Sequence, residues 1–193
     1  MYYDNIRKRL ESCDAIMVEG VKSSKASFIT LCYRFVARRK NIGLVTQHYM
    51  DMDGLRDRVF NGDIGSQAFD SEWSKIPLRT RCLLSLMIPV AMIYSFTLTR
   101  KDIAAHMELD DLWSRDEILD ADSDTEALDS VILGKRDSHL LQVLEQYHAN
   151  HVASDKVLGI VFGAMHMRAV VGLLSRRLGY RVTKSEWETV FDL

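Results

Sequence analysis

His166 stands in Phe162-Gly163-Ala164-Met165-His166, between the apolar residues Val157, Leu158, Ile160, Val161 and Phe162 and a stretch in which Leu173, Leu174 and Leu178 keep helical spacing. The first part reads as a buried strand and the second as a helix, closed near Gly179, where a C-cap glycine belongs. A strand thus hands an imidazole to the turn where a helix begins, at the sheet edge where open α/β sheets bind ligands. Glu19 is placed in the same way, because Asp14-Ala-Ile-Met-Val-Glu19-Gly20 reads as a short buried strand that ends in a glutamate and a glycine. If both strands are parallel members of one sheet, the carboxylate and the imidazole arrive at one edge. Such a pair binds a divalent metal or shares acid–base work. Arg136, next to Asp137 and after Gly134 in a long helical stretch, is of a type that steadies a developing negative charge. Each has a plainer alternative: Glu19 as a solvated strand end, His166 as a helix N-cap or hydrogen-bonded turn residue, Arg136 as half of a surface ion pair.

Positioning these side chains requires alternating strands and helices. Tyr2 to Ser12 reads as a helix and Asp14 to Gly20 as a strand. Ala26 to Arg39 follows as a helix with Phe28, Leu31, Phe35 and Val36 inward, and its Arg38-Arg39-Lys40 end suits the helix dipole. Ile42 to Thr46 reads as a further strand. This alternation is the pattern of parallel βαβ units in one α/β domain spanning residues 1–193. From Met50 to Pro77 the pattern weakens, and Gly54, Gly62 and Gly65 divide it into short helices or loops. Ser123 to His148 reads as a long amphipathic helix interrupted at Gly134, and Tyr180 to Thr183 as a last strand.

A chain of 193 residues, 47% hydrophobic and 27% charged, is large enough for one real core. Its net charge of −2 offers no basic face to a nucleic acid. The charge is uneven. Arg100 to Asp129 holds eleven acids against three bases, a local −8 that reads as a solvated acidic surface. Cys13, Cys32 and Cys82 are odd in number, far apart and without a CxxC, so they read as reduced thiols packing as small hydrophobes. Their usage points to a cytoplasmic location. The N-terminal MYYDNIRKRLESCD is an amphipathic helix rather than a signal peptide, since no apolar stretch follows its basic residues.

Cys82 to Leu98 is a run of 17 residues without a charge, flanked by Arg79 and Arg81 before it and Arg100 and Lys101 after it. A bilayer span wants about 20 such residues, and Pro89 with Ser85, Tyr94, Ser95 and Thr97 weakens the segment further. A buried core helix pair, a hairpin at or in a membrane and a partner interface all remain open. Basic residues on both sides give no charge asymmetry to orient a span.

Other motifs carry less. His148 and His151 are spaced for zinc, but no third ligand stands nearby in the sequence. Asp120-Ala-Asp122-Ser-Asp124 resembles the start of a calcium loop, yet Thr125 replaces the glycine and Val131 the closing glutamate. There is no Walker loop, GxGxxG or GxSxG, and no elbow around Ser175 to support a serine hydrolase.

DAIMVEG, then GLVTQ after a basic helix end, KRDSHLLQVLEQ, and VFGAMHMRAVVGLLSRRLGY together resemble the TraB/PrgY family, related to the Tiki metalloproteases and the erythromycin-esterase/ChaN-like superfamily. LWSRDEIL, Leu112 to Leu119, is similar to a family segment as well. The similarity covers nearly the whole chain in order, and the late GxxH with its following helix and GY is the most specific part. It implies a three-layer α/β fold, with a mainly parallel sheet flanked by helices. It also implies a site made of two GxxH sequences, a glutamate and an arginine. Carried onto this chain, the second GxxH is Gly163 to His166, the glutamate Glu19 and the arginine Arg136. Tiki-like members are metal-dependent proteases, and TraB and PrgY are associated with shutting down peptide-pheromone signalling.

The resemblance therefore implies a metal-dependent hydrolase of peptides or proteins, with zinc, manganese or cobalt held by His166 and Glu19. The other expectation is a non-catalytic peptide-binding or regulatory protein that meets a membrane surface through Cys82 to Leu98. The family's first GxxH ends a strand ahead of the YY…RL…CDAIMVEG region, whereas here Tyr2-Tyr3 directly follow Met1. That N-terminal strand and its histidine are missing from the pattern. The expected site is thus half of the family's, and one histidine with one carboxylate is a poor set for a catalytic metal, which usually has three protein ligands.

Overall fold

The computed structural model of the protein describes residues 2–29, 31, 52–99, 101–102 and 133–188. Among them are helices and a three-stranded parallel sheet, an α/β arrangement. Helix α1, Tyr2–Glu11, leads into strand β1, Ala15–Val18. Helix α2 is Ser24–Ile29, and a 3-10 turn at Arg56–Arg58 runs into β2, Val59–Asn61. Helices α3, Ser66–Lys75, and α4, Leu78–Ser95, come next. Helix α5, Lys135–His151, strand β3, Leu158–Val161, and helix α6, Ala164–Gly172, complete the set, and α6 continues as a wider π-type turn at Leu173–Arg177.

The sheet order is β2-β1-β3. Ile16 pairs with Val59 on one side and with Gly159 on the other. Asp14 anchors the start of the register, its carboxylate accepting a hydrogen bond from the Val157 N–H at 2.8 Å. As the middle strand, β1 is covered on both faces, which explains an apolar run without polar alternation. Ile16 and Met17 are both wholly buried but point opposite ways. Ile16 joins Leu10 of α1, Cys13 and Leu55, whereas Met17 joins Leu140 and Leu144 of α5 and Val170 of α6. A third cluster of Ile64, Phe69, Trp73 and Ile76 sits under α3 and packs against Val21 and Ala26.

Because all three strands run parallel, their carboxyl ends lie along one edge. Helix α5 returns against them: Arg136 at its start reaches Glu19 beyond the end of β1, whereas its end at His151 leads within a short connection to the start of β3 at Leu158. The first turn of α5 and the start of α6 therefore share that edge. This is the arrangement of a parallel sheet whose helices bring their positive N-terminal ends to the strand ends.

Several expectations change. The weak stretch from Met50 to Pro77 contains a true strand, β2, stabilised by pairing with β1 rather than by its own three residues. Tyr180 to Thr183 has no regular secondary structure. The chain does turn at Gly179, whose φ is 74°, with Tyr180 N–H bonded back to the Leu174 carbonyl at 2.9 Å. Of the run from Cys82 to Leu98, Cys82 to Ser95 lies in one helix, α4, continuous through Pro89, and the run is not a buried pair. Ile88 is buried there, but Leu86 and Ile93 are each 70% exposed. Cys13 packs in the core, where burial raises its thiol above the ordinary range, whereas Cys82 is exposed and does not pack as a small hydrophobe. The expected strand Ile42 to Thr46, Cys32, the acidic segment beyond residue 102 and the part of the long helix before residue 133 lie outside the described residues.

Candidate functional site

Three strand ends and two helix starts deliver five ionisable side chains to one place. Glu19 follows β1 directly. Its Oε2 accepts the Gly163 N–H at 2.7 Å, so the end of β1 is tied to the turn that carries His166. Its Oε1 accepts from Arg136 Nη2 at 2.5 Å and faces His166 Nε2 at 3.5 Å. His166 is in the first turn of α6, only 4% exposed, and its Nδ1 lies 2.6 Å from Asp137 Oδ1. With Asp137 accepting from Nδ1–H, the other ring nitrogen is turned toward Glu19. Phe162 holds the ring from the side in an edge contact, with centroids 5.9 Å apart.

Asp63 completes the group from the loop after β2, and its side chain has no exposed surface. It grips Arg136 with both oxygens, Oδ1 accepting from Nε at 2.9 Å and Oδ2 from Nη2 at 2.6 Å. Backbone N–H groups of Ile64 and Gly20 also donate to it, at 2.9 and 3.2 Å. Asn61 braces the loop by accepting the Asp63 N–H and donating to the Gly20 carbonyl. Gly20 has φ of 155°, a backbone state that L side chains rarely adopt, and it is this turn that lets its N–H and carbonyl meet Asp63 and Asn61.

The electrostatics follow from this packing. Burial pushes the Glu19 carboxyl up, but His166 in its protonated form, the Gly163 N–H and Arg136 outweigh it and hold the group down at about 2. The bond to Glu19 raises His166 above its ordinary value; burial opposes this, Asp137 reinforces it and the Arg136 charge opposes it. For Arg136, burial favours loss of the proton, yet Asp63 and Glu19 together keep its pKa above the ordinary value. Among the described residues, three carboxylates against one guanidinium leave the cluster at a formal net −2 with a neutral imidazole. The site thus favours added positive charge, whether a proton on His166 or a cation.

Of the sequence-derived residues, Glu19 meets both Arg136 and His166, so the three gather at one carboxylate. Asp137, noticed as the neighbour of Arg136, is the partner of His166. Asp63 was not singled out. Its only signal is Val59-Phe60-Asn61-Gly62-Asp63, a short apolar run ending in turn residues like the one ending at Glu19-Gly20. The histidines of α5 have other partners: His148 Nδ1 lies 3.0 Å from the Tyr180 hydroxyl, and His151 bonds the Tyr147 carbonyl and stacks on its ring.

No protein-family model, no curated protein and no solved structure matches this chain.

His166 Nε2 and Glu19 Oε1 fit two positions of a divalent cation, one nitrogen and one oxygen, with Asp137 orienting the imidazole as carboxylates do behind ligating histidines. Among the described residues no three His, Cys, Asp or Glu side chains are grouped to hold a metal ion.

Proposed function

We propose that the chain is a TraB/PrgY-like protein of three-layer α/β type that acts as a metal-dependent hydrolase of peptides. The supporting observation is the orientation of His166, whose Nδ1 is taken by Asp137 while Nε2 faces Glu19 at a carboxylate-rich sheet edge. In this reading His166 and Glu19 would supply two ligands of the divalent cation, and among the described residues no third is grouped with them. When bound, such a cation makes a water nucleophilic near neutral pH. Glu19, held at about 2, is ionised at every physiological pH and serves as a ligand and a fixed negative charge, being too weak a base to take a proton there. Asp137 keeps the imidazole in the tautomer that leaves Nε2 available. Arg136, touching Glu19, places positive charge beside the reacting carbonyl and steadies the oxyanion. The same guanidinium opposes a cation on Glu19, and Asp63 offsets it.

Calorimetric titration of the chain with zinc, manganese and cobalt tests this. One equivalent is expected to bind with at least one of them. His166→Ala is expected to weaken that binding about tenfold or more, and acid likewise, because a proton and a cation compete for Nε2. A folded chain that binds none of the three sinks the reading.

The exposed apolar face of α4 favours a second reading, a non-catalytic peptide-binding or regulatory protein associated with a membrane surface. Incubation with a peptide mixture separates the two by mass spectrometry: the hydrolase returns fragments and the binding protein returns peptides intact.

A further inference from the structure

We infer that Asp63 is a positioning residue for the Glu19–His166 site, acting through Arg136. The inference rests on the reading of Glu19, Arg136 and His166 as one functional site, and it adds a residue that neither composition nor spacing singles out. A guanidinium has a fixed planar fork of donors, so where its Nε and Nη2 edge is clamped decides where its remaining N–H bonds can point. Asp63 clamps that edge with two bonds, at 2.9 and 2.6 Å. From this orientation Nη2 also reaches Glu19 Oε1, and Glu19 in turn holds the Gly163 N–H and faces His166. The chain of contacts therefore runs from the loop after β2, across the end of β1, to the turn before α6.

Asp63 is itself rigidly held. Its side chain is wholly buried, and the Ile64 and Gly20 N–H groups donate to the same two oxygens that grip Arg136. A carboxylate with four accepted hydrogen bonds in a buried loop is a fixed anchor rather than a mobile counter-ion. Its charge also matters. An ionised Asp63 offsets the guanidinium's charge at Nε and at Nη2, the nitrogen it shares with Glu19. With a neutral residue there, more of the Arg136 charge would fall on Glu19, and that carboxylate would have less negative potential left for a ligand of His166 and Glu19.

Asp63→Asn, nearly the same shape without the charge, tests the inference in the full chain by NMR and by zinc titration. Two resonances report on positioning: the Arg136 Nε–H and the Gly163 amide. Asp63→Asn is expected to lose the exchange-protected Arg136 Nε–H signal, shift the Gly163 amide, and weaken zinc binding about tenfold, as removal of an outer carboxylate does elsewhere. If both resonances keep their wild-type positions while only the melting temperature falls, Asp63 merely braces its loop and the inference is overturned. Should Asp63→Asn not fold, Asp63→Glu keeps the charge but moves it by one methylene, and the same displacement of both resonances is expected. A wild-type chain that binds no zinc would remove the zinc arm and count against the hydrolase reading alone, with the two resonances still deciding the role of Asp63.

Discussion

Glu19 links the two helix starts of the site, since it meets Arg136, the Gly163 N–H and His166 at once. Its acidity makes that measurable. The carboxyl lies at about 2 when folded, below the ordinary 4.5, so the folded state favours its ionised form. That contribution is fully present above about 4.5 and is lost as the pH falls toward 2, a difference of about 2–3 kcal/mol. Denaturant midpoints measured from pH 5 to pH 2 should fall for the wild-type chain and fall less for Glu19→Gln; equal slopes would dissociate the carboxylate from these bonds. His166 has the opposite sign. Its raised value means that the protonated ring stabilises the fold at low pH, and this is lost as the pH climbs above about 6.5 through the folded value. At this scale the residue types were readable in the sequence, because a glutamate and a histidine ending apolar runs stand out. Asp63 was not, since its own run is three residues long and gains meaning only by pairing with β1.

Elements set the distances between these residues. Gly163 joins β3 to α6, and its backbone, at φ −56° and ψ 145°, suits any residue. What restricts it is space: a methyl group there would lie 3.2 Å from Glu19 Oε2 and 3.9 Å from His166 Cδ2. Gly163→Ala is therefore expected to cost only about 1 kcal/mol of stability, the low end for overpacking, while displacing the Glu19 carboxylate. The check is a pair of measurements, a urea melt and the amide shift of residue 163; a large loss of stability with an unmoved amide would contradict it. The strand–turn–helix unit around this glycine was legible from hydrophobic periodicity, and so was β1. Periodicity failed where pairing replaces it, as in β2, and where a favourable composition has no partner, as at Tyr180 to Thr183. Arg136 needed the helix direction too. Only with α5 running against the strands does its first turn meet the ends of β1 and β3.

At the scale of the whole molecule, the charged sheet edge and the apolar helix α4 are the two features that a partner would meet. Among the described residues no single helix is long and apolar enough to cross a membrane, and the α3–α4 pair that passes on composition is bent by 111°. Yet α4 leaves Leu83, Leu86, Met87, Val90 and Ile93 exposed, with Arg79 and Arg81 near its start. Exposed apolar patches of this kind mark contact surfaces, and basic residues beside one favour anionic lipid. Sedimentation with anionic vesicles is expected to carry down the wild-type chain and several-fold less of a Leu86→Asp/Ile93→Asp variant, whose His166 site should be untouched; equal sedimentation would remove the membrane from the account. Whether Cys82 to Leu98 was core, interface or bilayer could not be read from the sequence, since all three are equally apolar and only packing separates them. The chain's own order of residues determined that short apolar strands would end in Glu19 and in the Gly163–His166 turn, because apolar runs, turn residues and helical spacing are local properties. The tertiary structure alone decided that those ends adjoin, that Asp137 orients His166, and that a buried Asp63 clamps Arg136. Strand order and helix direction arise from pairing and burial between segments that are far apart in the chain, and no local pattern encodes them.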